Sequence, residues 1–365
     1  MKLAKGEGPI ARSDEQVLDT LVSIVIPHYT GDILSECLSY VFERTKVPIE
    51  VIVVDDASPD GSVSRAQRRF PHIRVVRNER NLGFTSACNR GMEAAQGKYV
   101  ILLNNDTQVT EGWLVELLKV AESDPNIAAC QPKIRSLKDQ SKLDYAGGAG
   151  GLMDLYGYPF ALGRVFHVLE EDHGQYDEVQ DLFWASGTAM FLRKAALEQT
   201  GTLDEELFMH QEEIDLCWRM HLMGLRVCSA PASVIYHHSG WTLPSGTYQK
   251  MYLNHRNSLV LLLKNWSVPN LLWIFPIRLL LEGLTIKVSL LKFEWKRALA
   301  AMDGLIWVFL HPLNIWRRRR RAQRVRRVSD ASVKARMFQG SVVYQFFVKG
   351  VKTAGVLLLG EGEEG

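Results

Sequence analysis

The chain has 365 residues, 47% of them hydrophobic and 23% charged, with a formal net charge of +2. This is the balance of a folded protein with ample core material, and the length fits a large α/β domain plus an appendage. Five scattered cysteines without a CxxC pair exclude a disulfide framework and a zinc knuckle and fit a reducing compartment.

The first residues, MKLAKGEGPIARSDEQ, hold no apolar run of a secretory signal and predict a polar lead-in over 1–20. From there to about residue 240, short β-branched runs alternate with helical patterns. Val22 to Ile26, Glu50 to Val54, Ile73 to Val76 and Tyr99 to Leu103 predict strands. Ile33 to Arg44 carries apolar residues at helical spacing, and Ser86 to Gln96 predicts a helix stopped by Gly97. Strands alternating with helices imply a mostly parallel sheet, whose ligands sit beyond the carboxyl ends of the strands.

The polar residues gather at those ends. Pro27-His28-Tyr29 follows the first strand, DDASPDGS (55–62) the second, and Asn104-Asn105-Asp106 the fourth. Acids there suit hydrogen bonding to a base or ribose and coordination of a hard divalent ion. One such turn could be plain Asp/Ser/Gly turn chemistry; three at successive strand ends weaken that explanation. Asn81 and Gly83 open the next helix, whose N-terminus attracts phosphate or is simply capped. EEIDLCWRM (212–220) places acids at a helix N-terminus, with Asp215 facing Arg219 four residues on. His237-His238 ends an apolar run, and WASGTAMF (184–191) has a small-residue centre at Ser186-Gly187.

Taken in order, VSIVIPHYT, VIVVDDASPDGS, NLGFTSACNRGMEAAQGKYVILLNNDT, SGTAMFLRK, EEIDLCWRM and YHHSG resemble the family-2 glycosyltransferases of GT-A fold. The resemblance covers roughly residues 21–265 and is nearest to bacterial rhamnosyltransferases of cell-envelope polysaccharide assembly. It implies a Rossmann-like α/β domain over 21–265 and an inverting transfer of a sugar, rhamnose by subgroup likeness, from a nucleotide diphosphate. Pro27, Tyr29, Asp55 and Asp56 then line the nucleotide pocket; Asn81, Gly83, Asn89, Asn104 and Asn105 complete the donor site. Asp106 and His237 hold Mg²⁺ or Mn²⁺. Glu213 is the catalytic base, with Glu212 the alternative. Trp184, Ser186 and Gly187 lie beside the acceptor, joined by Arg256 and Asn257. Asn104 stands where the family has Asp, one anionic ligand fewer, which leaves open a membrane-bound scaffold with weak or no catalysis. The PHYTGD loop (27–32) lacks the Gly-rich basic pattern of nucleotidyltransferases.

Residues 266–365 form a third zone. The apolar stretch 269–310 is interrupted by Arg278, Glu282, Lys287 and Lys292, which predicts amphipathic helices lying in a membrane interface rather than crossing it. Arg317 to Arg321, Arg324, Arg326 and Arg327 would then meet anionic headgroups; nucleic acid ranks below that. The expected setting is peripheral, at the cytoplasmic face of the inner membrane, beside a polyprenyl-diphosphate-linked acceptor.

Overall fold

Continuous β-branched runs dictate where the sheet forms. The computed structural model describes residues 21–238 and 246–359; the expected lead-in over 1–20, Ser239-Gly240 and the acidic end lie outside them. The first half of the chain gives Val22–His28 (β1), Ile33–Arg44 (α1), Ile49–Asp55 (β2), Ser62–Arg69 (α2), Arg74–Arg77 (β3), Phe84–Ala94 (α3), Tyr99–Leu103 (β4), Thr107–Val109 (β5), Trp113–Ser123 (α4) and Ile127–Ser136 (β6). Next come Gly150–Met153 (β7), Pro159–Leu162 (β8), Arg164–Val165 (β9), Val168–Leu169 (β10), Ala189–Arg193 (β11), Lys194–Thr200 (α5), Glu212–Leu222 (α6) and Arg226–His237 (β12). Tyr248–Asn265 (α7), Val268–Leu291 (α8), Trp295–Leu310 (α9) and Pro312–Arg324 (α10) follow.

Eight strands share one sheet in the order β3-β2-β1-β4-β11-β6-β12-β5, and β7 to β10 form a small antiparallel sheet beside it. β3, β2, β1 and β4 run parallel; β11 is antiparallel to both its neighbours, and β5 is antiparallel to β12. β2, β1 and β4 are largely apolar on both faces because both faces are covered. Val25, Ile52 and Val54 pack with Ala87, Cys88 and Met92 of α3. Ile24, Ile26, Val51 and Val53 pack with Leu34, Leu38 and Val41 of α1 on the other side. Gly91 lets α3 lie flush on β1: a Cβ there would fall 2.1 Å from Val25 Cγ1.

The helix expected over Ser86–Gln96 runs from Phe84 to Ala94. It stops earlier because the N–H groups of Gln96 and Gly97 donate to the Glu50 carboxylate (2.5 Å) and the Ser23 hydroxyl (2.8 Å). Within WASGTAMF only Ala189 onward is strand.

The helical layer begins with α7, which packs against α8, α9 and α10. A buried ionic network ties this layer to α6. Lys264 Nζ donates to Asp204 (2.5 Å) and Asp215 (3.0 Å), Arg219 Nε to Asp215 (3.0 Å), and Arg318 Nε to Asp204 (3.0 Å). The basic run is therefore not one solvated stripe. Arg318 is fully buried, Arg319 donates to the carbonyls of Leu263 and Trp266, and Arg326 pairs with Asp330. Arg317, Arg320, Arg321, Arg324 and Arg327 remain exposed, Arg321 paired with Glu206.

The outer face of α8 to α10 is apolar and uncovered. Leu272, Leu280, Leu291, Phe293, Phe309, Leu310 and Leu313 are each at least 62% exposed, and Trp295 and Trp316 are half exposed. Among the described residues no single helix is long and apolar enough to cross a membrane; α9 and α10 reach that length only as a pair bent by 79°.

Candidate active site

The carboxyl ends of β1, β2 and β4 meet through His28. Asn105 Nδ2 donates to His28 Nδ1 (2.7 Å), which leaves Nε2–H to donate to Ser62 Oγ (2.7 Å). Burial lowers the pKa of His28 and keeps the ring neutral for this role. Asp55 accepts the Ser58 N–H (2.8 Å), and Tyr29, 44% exposed, follows directly on β1, which includes Pro27. Asp56 works differently from a ligand contact. Its Oδ1 accepts from Asn78 and the Leu82 N–H, and its Oδ2 from the Gly83 N–H. It thereby shapes the loop that starts α3, where Asn81 Oδ1 also accepts the Gly83 N–H. Gly83 has φ +87°, and a Cβ there would strike the Phe208 ring at 2.6 Å.

Asp106 and His237 are brought together by the pairing of β12 with β5, which sets His237 beside Thr107. Nε2 of His237 lies 3.2 Å from Asp106 Oδ1, and Nδ1 lies 3.0 Å from Asp144 Oδ1. Burial opposes a charge on this imidazole, but hydrogen bonds to the two carboxylates prevail and push its pKa up to about 9. Among the described residues no group of three or more His, Cys, Asp or Glu gathers as a ready-made metal site. One carboxylate and one imidazole fit a divalent ion as part of its shell, with donor phosphate oxygens and water as the rest. Asp144 sits where a second partner fixes the tautomer of a ligating histidine. Sequence reasoning passed over Asp144; its signal was the Gly-rich run DYAGGAG that it opens.

Glu212 and Glu213 stand on the first turn of α6, after a turn in which Phe208, His210 and Gln211 have φ of +66°, +67° and +70°. The Oε2 atoms of both are enclosed and lack a hydrogen-bond partner among the described residues. Burial, with the neighbouring Glu213, raises the pKa of Glu212 well above the carboxylate range; burial pushes Glu213 up to about 7. Two adjacent acids held at different proton affinities are what acid–base work needs. The turn abuts the loop that opens α3, where Thr85 Oγ1 donates to the Phe208 carbonyl (2.7 Å). The 184–188 segment reaches α6 through the Ala185 N–H, which contacts Cys217 Sγ at 3.4 Å.

Several expected contacts lie elsewhere. Asn89 is buried with both ends of its amide engaged, to the Leu203 backbone and Glu205, so it joins α3 to the 203–205 segment instead of facing a donor. Trp184 is core: its Nε1–H donates to the Leu152 carbonyl (2.8 Å) and its ring lies on Gly151. Ser186 donates to the Ala146 carbonyl, and its N–H donates to Gln131 Oε1 (2.8 Å), beside the partly exposed Gly187. Asn257 is fully buried and faces the 207–210 carbonyls, not an acceptor. Arg256 lies over the rings of Tyr252 (5.6 Å) and Trp307 (5.2 Å) and donates to the Leu207 carbonyl. Asn104 anchors the β4 edge through its backbone, N–H to the Thr188 carbonyl at 2.9 Å.

The mostly parallel central sheet with helices on both faces has the GT-A fold. The crystal structure of GalNAc-T7 with UDP, GalNAc and Mn²⁺ shares this fold, with a TM-score of 0.55 and 18% identity over 68% of this chain and 48% of that one. The family described as Glycosyl transferase family 2 matches residues 23–199, and this part of the chain is a domain of that family. The N-acetylglucosaminyl-diphospho-decaprenol L-rhamnosyltransferase of Mycobacterium tuberculosis is 25% identical over 305 residues, covering 78% of this chain and 99% of that protein. The low-salt glycan biosynthesis hexosyltransferase Agl10 of Haloferax volcanii is 25% identical over 250 residues, 67% of this chain and 75% of its own.

Proposed function

We propose that this glycosyltransferase moves a sugar from a nucleotide diphosphate, with inversion, to a saccharide carried on a polyprenyl diphosphate, and that it works on a membrane surface in cell-envelope polysaccharide synthesis. The observation that carries the reaction is the meeting of Asp106 and His237 at the sheet's carboxyl edge. The name of the mycobacterial relative, and its near-complete coverage, support rhamnose as the sugar and a lipid-linked acceptor.

In this reading Pro27, Tyr29 and Asp55 flank the nucleotide, and the Asn81–Gly83 loop and Asn105 frame the donor site. Asp106 and His237 would hold Mg²⁺ or Mn²⁺, which when bound neutralises the leaving diphosphate. Glu213 takes the proton of the acceptor hydroxyl, and Glu212, still protonated, keeps a second charge out of the pocket. Ser186 and Gly187 border the acceptor side. The uncovered apolar face of α8 to α10 lies in the bilayer interface. Exposed Arg317, Arg320 and Arg324 meet anionic headgroups rather than nucleic acid. The unit that carries the chemistry is 21–265, with 266–365 as the membrane-associating region and the cytoplasmic leaflet as its setting.

Thermal-shift measurements with UDP-, dTDP- and GDP-sugars, each with and without Mn²⁺, test this. A ligand that binds only the native state raises Tm. One nucleotide class should stabilise the protein, more so with metal and less so in Asp106→Ala. No response to any nucleotide in folded protein points instead to a non-catalytic membrane scaffold.

A further inference from the structure

The turn that carries the two acids is held in an unfavourable shape from outside. Phe208, His210 and Gln211 all have positive φ and none is glycine. Such residues each cost on the order of 1 kcal/mol or more and persist only where surrounding contacts over-determine them. Those contacts converge from α7. Asn257, with no exposed surface, points its Nδ2 at three carbonyl acceptors of the turn: Leu207 (3.1 Å), Met209 (3.0 Å) and His210 (2.7 Å). Its Oδ1 accepts from Arg256 Nε (2.9 Å) and Nη2 (2.7 Å), which fixes the amide the right way round. Arg256 Nη2 also reaches the Leu207 carbonyl (3.1 Å). Gln211 Nε2 donates to the Asn254 carbonyl (3.1 Å), one helical turn earlier on α7. From the opposite side Thr85 holds the Phe208 carbonyl.

We infer that Asn257, braced by Arg256, is a positioning residue for the catalytic base: it holds the 207–211 turn in the strained form that aims Glu213 at the acceptor. This rests on Glu213 being the base. An amide offers two N–H donors to this cluster of carbonyls while its oxygen accepts from an arginine, where a hydroxyl would offer one. Loss of the amide frees the turn to relax toward negative φ, which displaces Glu213 while the part of the donor site built on the ends of β1, β2 and β4 stays in place.

The test is steady-state transfer and donor binding by thermal shift in the full chain, comparing wild type, Asn257→Ala and Glu213→Gln. Turnover by wild type that is lost in Glu213→Gln establishes the base; the Asn257 variant then tests the clamp alone. The expected result for Asn257→Ala is a fall in kcat on the order of 10²-fold, the cost of a misplacement near 1 Å, with donor Kd within about twofold and a shifted acid limb of the pH–rate profile. A folded Asn257→Ala with kcat within threefold of wild type overturns the inference. So does an equal loss of kcat and donor affinity, which would mark a general structural role. If Asn257→Ala does not fold, Arg256→Gln decides, since it removes the brace on the Asn257 amide: it should lower kcat with donor Kd intact, and an unchanged kcat in Arg256→Gln overturns the inference.

Discussion

Glu213 offers the most direct handle on the chemistry. Burial pushes its carboxyl from 4.5 to about 7, yet only the ionised form accepts a proton. A base with that pKa is ~10% ionised at pH 6 and ~90% at pH 8, so kcat should rise roughly ninefold across that interval and level off above it. The same shift has a stability side. The folded state keeps a proton that the unfolded chain releases, so this contribution is fully present below about pH 4.3 and is lost as pH rises through about 7. The full shift corresponds to ~3 kcal/mol; partial access to solvent and coupling to Glu212 reduce that to ~1–2 kcal/mol. Glu213→Gln removes both effects. At saturating acceptor, with released nucleoside diphosphate as the readout, it should lower kcat by ~10²–10⁴-fold. It should raise Tm relative to wild type at pH 8 and leave it nearly unchanged at pH 4. A kcat that is flat from pH 6 to 8, or a Glu213→Gln enzyme of near wild-type activity, would refute the assignment.

Three further outcomes are expected. Lys264→Met leaves Asp204 and Asp215 buried with one cation fewer each, although Arg318, Arg219 and Asn265 remain; denaturant unfolding should show a loss of ~3–5 kcal/mol. Asp144→Asn replaces the carboxylate on His237 Nδ1 and should weaken Mn²⁺ binding by ~10–100-fold, measured as the Mn²⁺ concentration that half-saturates the nucleotide-induced rise in Tm. Paired Leu280→Glu and Leu291→Glu, both on the uncovered face of α8 and each at least 70% exposed, should abolish co-sedimentation with anionic vesicles and leave Tm unchanged, since neither side chain supports the core.

The sheet was readable because its signals are local. The β-branched runs of β1, β2 and β4 and the spacing of α1 fix those elements with no help from distant contacts. The strand-end polar residues followed, since a parallel sheet puts them on one edge. Asp144 escaped because its role appears only when β12 pairs with β6, to which Asp144 is tied by its N–H to the Ile134 carbonyl, and so meets His237 across the fold. Asn89, Trp184 and Asn257 looked like ligand contacts by motif, but each donates to backbone carbonyls far away in sequence. The arginine run looked like one exposed stripe because linear charge does not reveal helical phase. On α10 the phase turns Arg318 inward to Asp204, while Arg317 and Arg320 stay outside.

Sugar transfer itself is the decisive measurement. Purified protein, labelled dTDP-rhamnose and polyprenyl-diphosphate N-acetylglucosamine in anionic vesicles with Mn²⁺ should yield a labelled lipid-linked disaccharide, with UDP- and GDP-sugars as comparison donors. Product should form from one donor class and be lost in both Asp106→Ala and Glu213→Gln. Absence of transfer from every donor by folded, vesicle-bound protein, or transfer undiminished in both variants, would contradict this.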